Sequence, residues 1–283
     1  MMGRMPSLDY HAPAETLRDY VSIYYHFDCP DEAFEDIERA AVAQVRFILT
    51  GEADMSFADG HETHASGTVL VGPTSGFNRF SITGPFRMFG MGLLPAGWGA
   101  VTSRSAAEIT DRAISATDFF PDIHKHLDAL QQCSCVEEMA KRADVVLRRL
   151  VAASSPDILT FTDTVDAWLA ADPSPSVPEL REQTALSARQ LARKVKHYYG
   201  MSPKYLSRKY RALRAARALV DANDDDADYL RDAFYDQSHM IRELKIFAGM
   251  TPNEIRYREG IIAKMIDQRS QFDGEISALT TRT

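Results

Sequence analysis

The sequence predicts an α+β protein of two domains: a β-barrel or sandwich followed by helices, then an all-α domain built on two helix-turn-helix units. Three observations carry this. The first hundred of the 283 residues fall into short runs rich in Val, Ile, Phe and Tyr, separated by turn residues. From about residue 116 the apolar residues recur at three- and four-residue spacing instead. And one segment occurs twice, 49 residues apart. Leu191/Met240, Arg193/Arg242, Val195/Leu244, Lys196/Lys245, Tyr198/Phe247, Gly200/Gly249, Met201/Met250, Ser202/Thr251 and Pro203/Pro252 agree in kind. Two copies are too few for a solenoid, but they suffice for a pair of equivalent modules.

Taken in order, strands are expected at 19–27, 43–49, 54–57, 68–72, 78–82 and 86–94. Thr50-Gly51, Ala58-Asp59-Gly60, Gly72-Pro73 and Thr83-Gly84-Pro85 supply the turns between them. Strands this short and this evenly spaced indicate a small barrel or sandwich. Helices are expected at 116–132, 136–152 and 157–171, with Thr117, Asp118 and Ser134 as candidate caps. Leu147, Leu150 and Val151 share one helical face, which makes a homodimer through these helices an expectation. Asp172 to Pro178 holds three prolines and reads as a linker. The expected divisions are residues 1–112, a β domain; 113–172, a helical dimerisation or linker segment; 173–260, the double helix-turn-helix; and 261–283, a tail with room for one more helix.

A composition of 45% hydrophobic and 25% charged residues is that of an ordinary globular protein. No run of eighteen apolar residues occurs, so no membrane partner is expected. The first thirteen residues lack the apolar core of a secretory signal. The three cysteines, Cys29, Cys133 and Cys135, fit a reducing cytoplasm better than a disulfide framework. Net charge is −8, which alone argues against a polyanion partner, but its distribution does not. Residues 1–177 carry −12, residues 178–220 carry +9 and residues 221–283 carry −5. The basic block coincides with the first repeat, as a DNA-binding surface would.

Each repeat fits a helix-turn-helix. In the first, residues 178–183 form the support helix, Thr184-Ala185-Leu186 the turn, and Ser187 the N-cap of a helix over 188–199 that ends at Gly200. Leu191, Val195 and Tyr198 fall on its inner face. A recognition helix offers its first residues to base edges, and Arg and Gln bond guanine and adenine bidentately. Arg189, Gln190 and Arg193, beside Ala188, are thus candidate base readers, and Ser187, Lys194, Lys196 and Lys204 candidate phosphate contacts. In the second unit residues 229–234 are the support helix and Asp236 caps a helix over 237–247. Gln237, Ser238, His239 and Arg242 are its outward residues. A connecting helix over 203–221 would be roughly 28 Å long. Successive major-groove entries on one DNA face lie ~34–36 Å apart, so double-stranded DNA spanning two successive major grooves is the expected partner.

Leu186-Ser187-Ala188-Arg189-Gln190-Leu191, Gly200-Met201-Ser202-Pro203, Tyr235-Asp236-Gln237-Ser238-His239 and Gly249-Met250-Thr251-Pro252 resemble the DNA-binding domain of the AraC/XylS family of transcriptional regulators. The resemblance covers residues 178–258. It implies a seven-helix domain with two helix-turn-helix units, and an N-terminal domain that senses a small-molecule effector or dimerises. Leu70-Val-Gly72-Pro73, Gly92-Leu-Leu-Pro95-Ala-Gly97 and Leu49-Thr-Gly51 are similar to the cupin-like sensor of one branch of these regulators. RNA polymerase is a further partner to consider. The chain departs from the family at two places. Ala185 and Ala233 stand where glycine is usual in the turns, and Asp224, Asp225, Asp226, Asp228, Arg231 and Asp232 crowd a support helix that is usually apolar. Those departures motivate an alternative: a cupin-like ligand-binding or protein-interaction module with a degenerate DNA-binding domain.

No serine nucleophile elbow, P-loop or dinucleotide fingerprint appears, so neither an enzyme nor a cofactor is expected. His61-Glu62-Thr63-His64 lacks the spacing of a cupin metal site, and Cys133 and Cys135 lack the spacing of structural zinc, so no metal is expected either. For the effector, Tyr24, Arg46, Arg79 and Trp98 are the candidate contacts. A guanidinium turned into a barrel needs an anionic partner.

Overall fold

The computed structural model describes residues 6–30, 33–221, 233–257 and 268–281. Eight antiparallel strands form one sheet: β1 Ser7–His11, β2 Val21–Cys29, β3 Ala33–Glu38, β4 Ala43–Ser56, β5 Glu62–Ala65, β6 Thr68–Val71, β7 Asn78–Leu93 and β8 Ala113–Ser115. Their order is β1-β2-β7-β4-β6-β8, with β3 beside β7 and β5 beside β4. Every strand except β8 sends a side chain to one common cavity, so the sheet wraps round it as a barrel does.

Two long strands organise the barrel, where the sequence reading expected four short ones. β4 and β7 pair along most of their lengths, from Ala43↔Leu93 to Ser56↔Arg79. Thr50-Gly51 and Thr83-Gly84-Pro85 are therefore not strand-ending turns. They face each other at an irregularity in the β4–β7 register between Ile48 and Glu52, where a bulge bends strands without ending them. Gly51 has φ +79°, and a Cβ there would meet the carbonyl oxygens of Pro85 and Thr83 at 2.8 and 2.9 Å. Beyond the bend β4 exchanges partners, from β6 to β5.

Alternation along these strands gives two cores. Phe27, Ile48, Met55, Ile82 and Phe86 fill the barrel. Tyr24, Val45, Phe47, Phe89 and Met91 face the other way, onto helices. Those helices are α1 Pro95–Val101, α2 Leu127–Gln131 and α3 Val136–Val151. The long helix expected from residue 116 is instead two 3₁₀ turns and the short α2, because Pro121 interrupts it.

The next helix, α4 Pro156–Ala171, does not continue that layer. Its Phe161, Val165, Trp168 and Leu169 pack with the first helix-turn-helix unit, so the segment expected at 113–172 is divided between two cores. Then follow α5 Val177–Thr184, α6 Ala188–Tyr199, α7 Pro203–Asp221, α8 Gln237–Phe247 and α9 Pro252–Tyr257. A last short helix, α10 Ala278–Thr281, closes the described chain. The charged residues expected to disturb the second support helix, Asp224, Asp225, Asp226, Asp228, Arg231 and Asp232, lie outside the described residues, as does most of that helix and the start of the tail at Ile261. No helix among the described residues is long and apolar enough to cross a membrane.

Candidate nucleic-acid interface

The first unit is built as its residues dictate. Leu180, Leu191 and Val195 are fully or almost fully buried against α4 and α7. Each contributes roughly 1.5–3 kcal/mol through burial. Ser187 caps α6 in a complete capping box: the Gln190 amide N–H donates to its Oγ at 3.3 Å, and the Ser187 amide donates to Gln190 Oε1 at 3.0 Å. Gly200, with φ +79°, ends the helix. The turn before it is made by Ala185 at φ +52°, a left-handed conformation that suits glycine better.

The outer face of α6 is basic. Arg189, Arg193 and Lys196 are exposed, as are Ser187, Ala188 and Lys204 at the starts of α6 and α7. Two expected contacts are already engaged elsewhere. Gln190 is held in the capping box, its Oε1 also accepting from Ser187 Oγ at 2.7 Å. Lys194 lies over the Phe161 ring at 4.2 Å, on the side of α4.

The second unit repeats the design with one substitution that explains itself. Asp236 accepts from the His239 amide at 2.7 Å and caps α8, and Gly249 has φ +74°. Gln237, Ser238 and Arg242 are exposed at its outer face. The His239 ring meets that of Phe234 nearly at a right angle, with the centroids 5.6 Å apart, so it is partly packed inward. Glu243, at the repeat position of Lys194, is buried and anchors the connecting helix: Arg208 donates to it at 2.8 and 3.2 Å and Arg211 lies at 3.5 Å. The basic block is accordingly only partly a surface. Arg208 and Arg211 hold Glu243, Arg214 donates to the carbonyls of Ala170 and Asp172, and Lys209 is buried.

Lys209 belongs to a set of contacts that residue patterns did not reveal. Its Nζ donates to the carbonyls of Ala41 at 2.6 Å and Thr74 at 2.8 Å, both in the N-terminal domain. Burial pushes its ammonium down to about 7, against the attraction of Asp111. Around it the amides of Ala40 and Phe77 donate to the Phe247 and Ile246 carbonyls, which are among the last of α8. Those carbonyls have no partner within their own helix, so the N-terminal domain caps the second recognition helix. Ala40, Ala212, Leu213 and Phe247 form a small shared core beside this seam. Lys209 lies between Leu206, Tyr210 and Leu213 on the buried face of α7, and that phase was the signal available in the sequence.

The four candidate effector contacts do not meet. Arg46 points into the barrel, where Glu38 accepts from it at 2.6 and 2.7 Å. Tyr24 lies on the opposite face of the sheet, donating to Asp144 of α3 at 2.8 Å. Trp98 is buried on that same face and donates to the Arg104 carbonyl. Arg79 is on the exterior beside the Phe77 ring. Strand alternation separates Tyr24 from Arg46, because the first falls on the outer face and the second on the inner. Of the two histidines in the 61–64 segment, His64 is engaged by Asp54 and Glu52. No group of three metal-ligating side chains occurs among the described residues.

Two capped helices, α6 and α8, joined by the connecting helix α7, form a double helix-turn-helix. Residues 180–258 match the model of the family described as a helix-turn-helix domain, the AraC type, and residues 9–115 match a domain of unknown function (DUF6597). Residues 180–258 thus belong to the AraC-type helix-turn-helix domain family. No curated protein matches the sequence of the chain. Among solved structures it is similar to apo ToxT from Vibrio cholerae, at 9% identity over 90% of this chain and 98% of that one, with a TM-score of 0.46. It is also similar to the AraC-like transcriptional activator CuxR, at 15% identity over 80% and 85%, with a TM-score of 0.33. A cupin superfamily protein from Desulfitobacterium hafniense is similar at 21% identity over 33% and 83%, with a TM-score of 0.24.

Proposed function

We propose that α6 and α8 enter two successive major grooves of double-stranded DNA, and that a small molecule bound by the N-terminal domain governs that engagement. The observation that carries this is the exposed Arg189–Arg193–Lys196 face on a helix whose N-terminus is fixed by a complete capping box. Arg189 and Arg193 read bases; Ser187, Ala188, Lys196 and Lys204 lie along the phosphates. In the second unit Gln237, Ser238 and Arg242 do the same work, with His239 contributing less because it packs on Phe234. Gln190 and Lys194 contribute mainly by holding α6 in place.

Arg189→Ala is expected to relax base preference at one position by ~1–3 kcal/mol, whereas Lys196→Ala weakens all sequences alike and lowers the salt slope by about one. Quantitative gel shifts over a panel of operators at several salt concentrations separate the two. If both variants bound every sequence as the wild type does, the assignment of α6 would fail.

The barrel is a sensor rather than a catalyst in this reading, and the protein acts in the cytoplasm. A homodimer is supported by Val145 and Leu150, which are 50% and 43% exposed on α3 beside an apolar cleft of about 670 Å³. Sedimentation of the full chain, and of a Val145→Glu variant, tests this: a monomer at high concentration for both contradicts it. Contact with RNA polymerase is proposed on the class of regulator alone.

A further inference from the structure

The C-terminal segment 268–281 returns to the N-terminal domain. Arg269 Nε donates to Tyr10 Oη at 3.3 Å, and its guanidinium carbon stands 5.6 Å from the centre of that ring. Glu275 pairs with Arg18 at 3.5 Å. Leu279, 8% exposed, joins the core of the first helix-turn-helix unit. The segment therefore bridges the mouth of the barrel and the DNA-binding domain.

Arg269 reaches a cavity of about 80 Å³ inside the barrel. One end of that cavity is polar. Arg46 is held by Glu38, Gln44 Nε2 donates to Glu38 at 2.8 Å, and Tyr25 donates to Gln44. The rest is apolar, with Ile48, Met55 and Phe86 among its walls. Arg46 and Glu38 neutralise each other. Arg269 adds a second guanidinium, whose Nε donates to the Tyr10 hydroxyl. Among the described residues that line it, two cations, Arg46 and Arg269, thus stand against one carboxylate, Glu38, at the edge of an apolar chamber, and a surplus charge in such surroundings is stabilised by an anion. Tyr25, Glu38, Gln44 and Arg269 also line a second cavity of about 70 Å³ that reaches Lys209 at the interdomain seam.

We propose that the barrel cavity binds a short-chain carboxylate, its anionic group between Arg46 and Arg269 and its apolar end toward Met55 and Phe86, with residues 268–281 as the strap that closes over it. The volume sets the size, being well below the about 300–1,000 Å³ of sites for drug-sized ligands. A bound carboxylate would tie the barrel wall to the strap, and the strap, through Leu279, to the first recognition unit. This rests on the reading of the N-terminal domain as an effector sensor and names the ligand class for it.

The test titrates the full-length protein with butyrate, butyramide, hexadecanoate and inorganic phosphate, by calorimetry and thermal unfolding. Butyrate is expected to bind and raise Tm; its uncharged amide, the long chain and phosphate are each expected to bind at least about tenfold more weakly. Arg269→Gln is expected to weaken butyrate about tenfold, the value of a charge-assisted hydrogen bond, and Arg269→Lys less. The unliganded melting temperatures of both variants report whether the strap folds. Equal binding of butyrate and butyramide, phosphate binding as tightly as butyrate, or unchanged butyrate affinity in Arg269→Gln would each overturn the assignment. DNA binding is measured in parallel, with and without butyrate: a protein that binds DNA but no carboxylate sinks this site alone, whereas one that binds no DNA under either condition sinks the regulator reading on which it rests.

Discussion

At the level of single residues, Ala185 carries a left-handed turn with a side chain that does not suit it. A Cβ at φ +52° costs about 1–2 kcal/mol relative to a right-handed conformation. Ala185→Gly is accordingly expected to stabilise the protein by about 1 kcal/mol, seen as a higher urea midpoint at unchanged slope. An unchanged or lower midpoint would mean that the neighbouring chain, not the turn, sets this conformation. Ala233, the other alanine read as standing in for glycine, is helical and carries no such strain. The ends of the recognition helices were legible in the sequence because capping is local chemistry: Ser187, Asp236, Gly200 and Gly249 act within a few residues of themselves. The roles of Gln190 and Lys194 were less legible. Spacing placed both on the outward side of α6, but their partners, the Ser187 backbone and the Phe161 ring, use them first.

At the level of elements, the repeat keeps its capping chemistry at both ends but exchanges Lys194 for Glu243 in its middle, and that exchange carries the energetics. Glu243 is 3% exposed and holds Arg208 and Arg211 against α8. Removing one member of a buried ion pair strands the other charges and costs about 3–5 kcal/mol. The exposure of Arg208, at 34% of its side chain, puts Glu243→Ala toward the lower end, about 3 kcal/mol. If α6 and α8 each read a half-site, as proposed, footprinting of this variant is expected to lose protection over the half-site assigned to α8 and keep it over the one assigned to α6. Equal loss at both would show that the two units are not separately supported. Gly51 and Pro85 are ordinary turn signals, yet here they bend β4 and β7 without ending them, because the partner strand continues on the far side. A sequence window contains the bend but not the partner.

At the level of the whole molecule, the N-terminal domain caps the C-terminal carbonyls of α8 and buries Lys209 of α7. A change in the barrel therefore has a short physical route to the spacing of the two recognition helices. Lys209 also leaves a titratable signature. Its native pKa of about 7 lies below the 10.5 of a free lysine, so between those values the unfolded chain binds a proton that the native chain lacks. Stability from this group consequently rises as pH climbs from about 7 toward 10, and is lowest below 7. Lys209→Met is expected to flatten that slope in urea titrations at several pH values; an unchanged slope would assign it to other groups. None of this seam follows from composition or charge, because it depends on which carbonyls the fold brings to α7.

In the proposed mode of binding one chain reads two successive grooves. Selection of bound sequences from a random DNA library by the full-length protein tests it most directly. The expected result is a bipartite motif whose halves lie about 10–10.5 base pairs apart, centre to centre, with Arg189→Ala degrading one half and Arg242→Ala the other. A single half-site that only Arg189→Ala affects, or no enriched sequence at all, would contradict it.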